Sequence, residues 1–300
     1  MRGPAHASDG RTPREVARGL LWASPWLVGF AIFTAVPAVL SLWFSLTDYS
    51  LLERPVFVGL ANYRELAADP VVRAATRNTL AYAAMAVVGG TALSLVLAPL
   101  LERGLRGSGL VRAIVFAPTL APPASAAMVW LWLYNPGDGP LARGLRAVGA
   151  SSPNFLGDAR WALPSLAFMG LWSVGSAVVV YSAAIRGVPR AVYEAAEVDG
   201  AGPVSRWWHV TIPGIAPAVL FNVVMAVIWS LQLFAAPLIM TRGGPALSTH
   251  TVSMSVYLNA FVYGRMGYAC ALAWVQLLIT LALTILVLAL ARRAVVYRAG

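Results

Sequence analysis

The chain has 300 residues, of which 59% are hydrophobic and 11% charged, and its net charge is +10. A soluble globular domain has roughly 45–50% apolar and about 25% charged residues, so this composition excludes a water-soluble fold and favours a membrane protein with several spans. All 22 basic residues are arginine, and without lysine a GxxxxGK[ST] phosphate-binding loop is excluded, so any ATP used is bound by another chain.

Six uncharged apolar stretches reach the roughly 20 residues that a helix needs to cross a bilayer. In chain order they are Leu20–Leu46, Thr79–Leu101, Ala113–Tyr134, Trp161–Ile185, Ile215–Met240 and Ala269–Ala291. The first is longer than a signal-peptide core of about 7–15 residues and lacks a cleavage pattern, so we expect it to be retained. Thr251–Tyr263 is too short and too polar to cross, and we interpret it as an interfacial helix. The sequence thus predicts an all-α polytopic membrane protein with six transmembrane helices.

Arginine placement predicts the orientation. With the N-terminus inside, the internal segments carry 13 arginines and the external loops nine, which favours cytoplasmic termini. The predicted parts are a cytoplasmic segment at 1–19, a six-span domain at 20–291 with an internal loop at 186–214, and a cytoplasmic tail at 292–300. The basic residues flank the spans without forming a separate patch, which indicates contact with membrane lipids and no nucleic-acid binding.

The polar groups of the spans are hydroxyls, amides and aromatic rings. No Asp, Glu, His or Arg lies within the six stretches, which disfavours a proton relay or an intramembrane anion site and suits a neutral polar solute. Cys270 is the single cysteine and lies in apolar sequence, so it forms no internal disulfide and we interpret it as a small buried hydrophobe. His209 and His250 lack a set of further ligands, so we predict no metal site.

The internal loop at 186–214 has the pattern of two short helices joined by a turn. Pro189 suits a first helical position, and Gly200 suits a position past a helix end that needs a positive φ. Pro203 begins the second helix, which carries Trp207 and Trp208. Such a unit can dock into a cleft of a partner protein, and an amphipathic element on the membrane surface is the alternative.

Several residues of this loop and of the first residues of the fifth stretch match one spaced pattern. They are Glu194-Ala195-Ala196, Asp199-Gly200-Ala201, Trp207, Val210, Ile212-Pro213 and Pro217. Their order and spacing resemble the EAA signature of binding-protein-dependent ABC importer permeases, EAA-x2-DGA-x5-F-x2-I-x-L-P-x3-P, with Trp for Phe, Val for Ile and Ile for Leu. Four further segments resemble the carbohydrate-uptake branch of that family, which includes the maltose and glycerol-3-phosphate permease first subunits. They are Ser45–Tyr49, Gly59–Tyr63, Asn78–Leu80 and Thr241–Thr249.

The resemblance covers about residues 20–291 and implies a type I ABC importer permease fold. It implies a heterodimer with a second six-span permease, a dimer of ATP-binding cassette ATPases and an extracytoplasmic solute-binding protein, in a bacterial or archaeal plasma membrane. The chain would have no catalytic site and no cofactor of its own, because the partner ATPase would bind ATP and Mg. Helices at 193–199 and 204–209 would enter the ATPase cleft, with Glu194 paired to a basic group. The residues implied in coupling are Tyr193, Glu194, Ala195, Ala196, Asp199, Gly200, Ala201, Trp207 and Pro213.

Residues of the fourth and fifth spans are candidates for a substrate path. They are Trp172, Ser173 and Ser176, which share one face, and Asn222, Trp229 and Ser230, which share another with Gln232 at its edge. An aromatic ring can stack on the apolar face of a sugar, and a hydroxyl can bond its OH groups. Packing between helices is the alternative for each of them.

Translocation of a neutral sugar or oligosaccharide is therefore the leading functional hypothesis. A glycerol-3-phosphate-like or other small solute is the alternative within the same importer class, but an anion needs basic groups or helix N-termini near the midplane. A self-sufficient channel or secondary carrier is the alternative of another class, and it would not need the EAA-like loop. A membrane-embedded enzyme ranks last, because no nucleophile–base pair or intramembrane carboxylate is present.

Overall fold

The computed structural model describes residues 13–102 and 108–291. The predicted tail at 292–300 and the first twelve residues of the predicted N-terminal segment lie outside this part. The helices are α1 Pro13–Phe30, α2 Val36–Ser45, α3 Ala61–Ala68, α4 Pro70–Glu102, α5 Ser108–Phe116, α6 Pro123–Leu133, α7 Pro140–Ala147, α8 Ala159–Leu171, α9 Gly175–Arg186, α10 Arg190–Val198, α11 Pro203–Arg206, α12 Ile212–Gly214, α13 Ala216–Leu231, α14 Ala235–Met240, α15 Val252–Tyr257 and α16 Met266–Ala291. The other elements are π-helical turns Ala31–Ala35, Trp207–Thr211 and Leu258–Val262, a 3₁₀ turn Ala117–Leu120, and antiparallel strands β1 Thr47–Asp48 and β2 Val56–Phe57.

The predicted all-α class is confirmed, and the apolar helices fall into two groups. Four are long enough to cross a membrane without a sharp bend: Leu21–Ser45, Pro70–Leu101, Ala216–Met240 and Met266–Ala291. Two apolar helix pairs are bent, α5 and its 3₁₀ turn against α6 by 105° and α8 against α9 by 46°. The described residues therefore hold up to six spans, if each bent pair is one span.

The third predicted stretch is not a straight helix. Pro118, Pro122 and Pro123 lie at its break, where Ala121 has an extended backbone. Proline lacks an N–H donor and disfavours helical geometry in the residue before it, so the helix cannot continue there. The second predicted stretch, which begins at Thr79, starts too late. Helix α4 begins at Pro70, and its first turns include two arginines, which a search for uncharged stretches excludes.

Helix α4 is the central element, and it packs against α8, α9 and α13. Helix α13 also packs against α16, which in turn contacts α2. Small residues allow close approach in the helix α4 contacts, since Ala98 and Ser94 are fully buried there. At the bend before α9, a Cβ on Gly175 would lie 2.8 Å from Cα of Phe116, so only glycine lets α9 approach α5 this closely.

The connections divide the molecule into two ends. Residues 46–69, 134–158 and 241–265 lie at one end, called here the loop end. Tyr49 accepts from the N–H of Gly267 at the start of α16, and Asn135 and Leu156 lie beside Thr241. The loop at 186–214 lies at the other end of α9 and α13.

Amide side chains fasten the segments at the loop end. Asn62 donates from Nδ2 to the carbonyl oxygens of Ser45 and Thr47, both at 2.9 Å. Asn78 donates from Nδ2 to the carbonyl oxygens of Leu247 at 2.5 Å and His250 at 3.0 Å. The segments that resemble the carbohydrate branch are therefore joined to one another or to neighbouring backbone by buried hydrogen bonds.

The stretch interpreted as an interfacial helix forms α15 and the π-helical turn after it. Helix α15 packs against α4 and α16, and Val252, Met254 and Ala260 are buried. Thr251 caps its start by accepting from the N–H of Met254. This stretch is thus a packed part of the helix bundle at the loop end.

Candidate functional site: a helical hairpin and exposed path residues

The loop at 186–214 forms a helical hairpin, the name used below for these residues. Its first helix is α10, which begins three residues before the expected Tyr193. Its second helix begins at Pro203 and continues through the π-helical turn to Gly214, beyond the expected end at His209. Pro189 lies at the N-cap of α10, where a missing N–H costs no helical hydrogen bond.

A glycine makes the turn of the hairpin. Gly200 has a φ of +77°, and no atom lies within 4 Å of the position that a Cβ would occupy. The N–H of Ala201 donates to the carbonyl of Ala196 at 2.9 Å, and that of Gly200 donates to the carbonyl of Glu197 at 3.0 Å. These bonds satisfy the last carbonyls of α10 in the pattern of a helix that ends on a left-handed glycine.

Two side-chain contacts hold the helices of the hairpin together. The hydroxyls of Tyr193 and Thr211 lie 3.0 Å apart, and Thr211 is buried. Arg206 forms an ion pair with Glu197, and both side chains are partly exposed. A hydrogen bond stabilises by about 0.5–1.5 kcal/mol and an exposed ion pair by about 0–1 kcal/mol, so the partly buried hydroxyl pair contributes more to the stability of the hairpin.

The hairpin has an outer face, the name used below for its exposed side chains. Glu194 is exposed and makes no ion pair with the described residues, in contrast to Glu197. Three large apolar side chains of the hairpin are also exposed: Val198 at 88%, Val204 at 72% and Trp208 at 61%. Several large apolar side chains exposed on one short segment outside the spans are typical of an interaction surface.

These apolar residues are absent from the set expected for coupling. Trp207, which was in that set, is half-buried, while its neighbour Trp208 is exposed. The signal for Val198 and Val204 was their place on either side of the turn. Of the remaining expected residues, Ala195, Asp199, Gly200 and Pro213 are exposed, and Ala196 and Ala201 are half-buried.

The candidate path residues of α13 separate into exposed and internally bonded ones. Trp229 is 71% exposed, and Gln232 at the end of the helix is also exposed. Ser230 is buried and donates to the carbonyl of Val227 at 3.0 Å, and Asn222 donates to the carbonyl of Ala218 at 3.0 Å. Trp229 and Ser230, which the sequence places on one face of the helix, thus differ in the structure, since the first is exposed and the second is buried.

The candidates of the fourth span lie at its bend. Ser173 and Ser176 are exposed, and the ring of Trp172 packs edge-on against that of Trp130 with 6.1 Å between centroids. The bend places Trp172 and Ser173 in the break between α8 and α9. An exposed aromatic ring is therefore present on both candidate segments, accompanied by exposed hydroxyls on the fourth span and by the exposed amide of Gln232 at the end of α13.

Charged and titratable groups cluster at the loop end. Arg265 contacts both carboxylate oxygens of Glu65 at 2.6 and 2.7 Å and lies over the ring of Tyr268. The Tyr268 hydroxyl donates to Asp69 at 2.7 Å. Burial raises the pKa of Asp69, but the hydrogen bonds from Tyr268 and from backbone N–H groups outweigh it, so the pKa is lowered overall. This network ties α3 and the start of α4 to α16.

His250 is buried in the loop after α14. Its Nε2 lies 2.8 Å from the hydroxyl of Ser255, and a Cβ on Gly243 would lie 2.8 Å from its Nδ1. Burial lowers the pKa of His250, and the Asp69 carboxylate opposes this shift. Among the described residues no group of three His, Cys, Asp or Glu side chains could hold a metal ion.

Comparisons with known proteins agree with this architecture. Residues 90–296 match the family described as "Binding-protein-dependent transport system inner membrane component". The chain is 35% identical over 272 residues to the probable ABC transporter permease protein YurN of Bacillus subtilis, covering 89% of this chain and 93% of that protein. It is 30% identical over 278 residues to the sn-glycerol-3-phosphate transport system permease protein UgpA of Yersinia pseudotuberculosis, covering 91% and 94%.

The fold is also similar to a solved structure. A chain of the bacterial alginate ABC transporter in complex with alginate pentasaccharide-bound periplasmic protein superposes with a TM-score of 0.81. The match covers 94% of this chain and 98% of that chain at 22% identity. At this identity the likeness concerns the fold.

Proposed function

Because this chain belongs to the family of binding-protein-dependent transport system inner membrane components, we propose that it forms part of the translocation pathway of an ATP-driven importer for a neutral sugar or oligosaccharide. The observation that carries this proposal is the helical hairpin at 186–214, which is fastened internally and has an outer face with exposed apolar side chains and with the Glu194 carboxylate, which forms no ion pair among the described residues. This face is suited to docking on a separate ATPase.

Family membership confirms the resemblance inferred from the EAA-like motif, and the type I permease fold is confirmed with it. The chain is a multi-pass membrane protein and a transport subunit, as its relatives are, and not an enzyme. We propose in addition that both termini and the hairpin face the cytoplasm, and that the partner ATPase binds ATP and Mg.

The exposed face of the hairpin supports a docking role. Val198, Val204 and Trp208 gain free energy when a partner removes them from water, at about 25 cal/mol per Å² of apolar surface. Glu194 has no ion-pair partner in the part of the chain that the structure describes and is available to a basic group, whereas Glu197 is already paired with Arg206. The small side chain of Ala195 lets a partner approach the helix closely.

Helix connectivity supports the transmission of motion. The hairpin continues into α9 on one side and α13 on the other, and both of these helices pack against α4. A rigid hairpin pushed by closure of an ATPase dimer would therefore move the packed helices as a body, which is a common form of conformational switching.

The exposed path residues support a neutral substrate. Trp172 and Trp229 can stack on sugar rings, and Ser173 and Ser176 can bond hydroxyl groups. A glycerol-3-phosphate-like solute is the second candidate, because one relative is a glycerol-3-phosphate permease. We favour the neutral solute, since an anion needs basic groups near the midplane and the six apolar stretches hold no arginine.

Affinity purification of the tagged chain from native membranes, followed by mass spectrometry, tests this proposal. Recovery of an ATPase, a second six-span permease and a solute-binding protein is expected. The binding protein is then screened against neutral sugars and glycerol-3-phosphate, and preference for glycerol-3-phosphate would select the second candidate. Recovery of the chain alone, in a detergent that preserves a known importer, would favour a self-sufficient channel or carrier and contradict the proposal.

A further inference from the structure

A cavity of about 500 Å³ lies at the loop end of the molecule, outside the hairpin and the path residues described above. It is bounded by the end of α6, the segment before α8, and the loop after α14. Residues that line it include Leu131, Tyr134, Asn135, Leu156, Thr241 and Pro245. The volume falls within the range of about 300–1,000 Å³ that small-molecule sites have.

One wall of the cavity is fixed by Tyr134. Its hydroxyl donates to the carbonyl of Ser165 at 2.7 Å, and its ring lies 5.1 Å from that of Trp130 and 5.0 Å from that of Phe155. Tyr134 is 2% exposed, so its position is set by packing. This wall is therefore formed before any ligand arrives.

The opposite wall is fixed by two threonines. The hydroxyls of Thr241 and Thr249 lie 2.7 Å apart, and Thr249 also donates to the carbonyl of Gly244 at 2.9 Å. These bonds hold the loop after α14 against itself. A preformed site loses less free energy to ordering when a ligand binds.

The lining combines apolar side chains with a few polar groups and carries no full charge. No carboxylate, guanidinium or imidazole is among the residues that line the cavity. Asn135 accepts at Oδ1 from the N–H groups of Gly137 and Asp138, so its orientation is set. Its Nδ2 donors bond to no described residue and are available to a ligand oxygen.

Aromatic rings connect the cavity to the candidate path. Tyr134 lines the cavity, its neighbour Trp130 is buried, and Trp130 packs against the partly exposed Trp172 with 6.1 Å between centroids. Two ring contacts, from Tyr134 to Trp130 and from Trp130 to Trp172, thus link the cavity to a predicted path residue.

We propose that this cavity is an entry site that holds one neutral sugar unit before the unit reaches the path marked by Trp172 and Trp229. The inference rests on the proposed function and extends it to a second sugar-binding position. Free N–H donors beside apolar walls suit a ring that carries hydroxyls on its edge and C–H groups on its faces. A charged solute would lose hydration here without gaining an opposite charge.

Protection from chemical modification tests the entry site in the assembled importer. Cys270 is the single cysteine, so Leu156→Cys in a Cys270→Ser background places one thiol in the cavity. The rate of maleimide modification is measured with glucose, maltose or raffinose, and with glucuronate as the charged comparison. The neutral sugars are expected to slow modification about threefold at about twice their Kd, and glucuronate is not.

Leu52→Cys in the same background is the matched control. Leu52 lies at the loop end, is 96% exposed and does not line the cavity, so no sugar should alter its modification. Absence of protection at position 156 by every neutral sugar would overturn the inference. Equal protection by glucuronate would overturn it too. So would protection that the solute-binding protein gives equally in the presence and in the absence of sugar.

A second variant gives an independent readout. Leu156→Trp reduces the volume of the cavity and should lower sugar uptake severalfold while the ATPase remains attached, and Leu52→Trp should leave uptake unchanged. Wild-type uptake by Leu156→Trp would contradict the entry site. Failure to recover an ATPase with the wild-type chain would instead contradict the proposed function, so the two failures are distinguishable.

Discussion

The hydroxyl of Tyr193 lies 3.0 Å from the hydroxyl of Thr211 and joins the two helices of the hairpin. Tyr193 belongs to α10, and Thr211 is a buried residue of the π-helical turn that leads through α12 to α13. A force applied to α10 would thus be passed to a residue that α12 joins to the membrane-spanning α13. The contact makes the hairpin one mechanical unit.

Removal of this contact should weaken coupling without releasing the ATPase. Tyr193→Phe loses one hydrogen bond, worth about 0.5–1.5 kcal/mol, and leaves the outer face intact. The ratio of ATP hydrolysed to sugar imported in proteoliposomes should rise severalfold. Tyr263→Phe, at the loop end, is the control and should have no effect. A double-mutant cycle with Thr211→Val tests the pairing, and fully additive effects would show that the two hydroxyls do not act together.

The turn of the hairpin should tolerate no side chain at Gly200. The φ of +77° costs an alanine roughly 1–2 kcal/mol, although the space for a Cβ is open. Gly200→Ala should therefore lower uptake and weaken ATPase attachment. Gly202→Ala is the matched control, because Gly202 has a φ of −68° and equally open space. Similar losses of uptake and of ATPase attachment in both variants would mean that the positive φ at Gly200 is not the cause.

Charge reversal at Glu194 should detach or uncouple the ATPase. Glu194 is exposed and has no ion pair among the described residues, so Glu194→Lys alters the outer face without breaking an internal contact. Co-purification of the ATPase and sugar uptake are both measured. Glu53→Lys makes the same charge change at the loop end and should leave both unchanged. Normal uptake by an assembled Glu194→Lys complex would contradict the proposal that this carboxylate contacts a basic group of the ATPase.

Trp229 should affect transport and not assembly. Its ring is 71% exposed on α13, so Trp229→Ala should reduce sugar uptake severalfold while the ATPase still co-purifies. Phe221→Ala removes another exposed ring from the same helix and serves as the control. If Trp229→Ala instead lowers the amount of assembled complex, the ring packs against the partner permease and does not bind sugar.

The loop that carries His250 should loosen in mild acid. Because the pKa of His250 is lowered in the folded loop from about 6.5, the opened loop binds the proton more readily. Protection of the backbone amides of this loop from hydrogen exchange is therefore full above about pH 6.5. It falls as the pH decreases toward the pKa that His250 has in the folded loop. Backbone amide exchange at 249–252, corrected for intrinsic rates, should be faster at about pH 5.5 than at about pH 7.5.

Two variants check the assignment of this effect. His250→Gln retains a polar group near Ser255 and should abolish the dependence on pH. His209→Gln, in the hairpin, should leave it in place. If exchange still changes with pH in the His250→Gln variant, another group, such as Asp69, controls the loop.

The spans and the hairpin could be predicted because their signals are local. Apolar length sets the four continuous spans, and the proline and glycine positions set the ends of α10 and the start of α11. The 105° bend was missed because hydropathy alone does not register the prolines at 118, 122 and 123. Their chemistry was visible in the sequence, but only the structure gives the angle between the two halves.

The individual roles of side chains depend on contacts distant in the sequence. Glu194 and Glu197 have the same chemistry three residues apart, and only the position of Arg206 shows that Glu197 is the paired one. Similarly, Trp229 and Ser230 are neighbours whose wheel positions differ by about 100°, so the packing of α13 decides which is exposed. The cavity at the loop end is formed by three segments far apart in the chain, and no local pattern indicated it.

Photo-crosslinking from position 198 most directly tests whether the outer face of the hairpin binds the ATPase. A photoreactive amino acid replaces Val198, which is 88% exposed, and in a separate variant replaces Leu52, which is 96% exposed at the other end of the molecule. Irradiation of native membranes should give an adduct that contains an ATPase from position 198 and none from position 52. Absence of such an adduct from position 198 in an assembled, active importer would contradict docking of the ATPase on the hairpin.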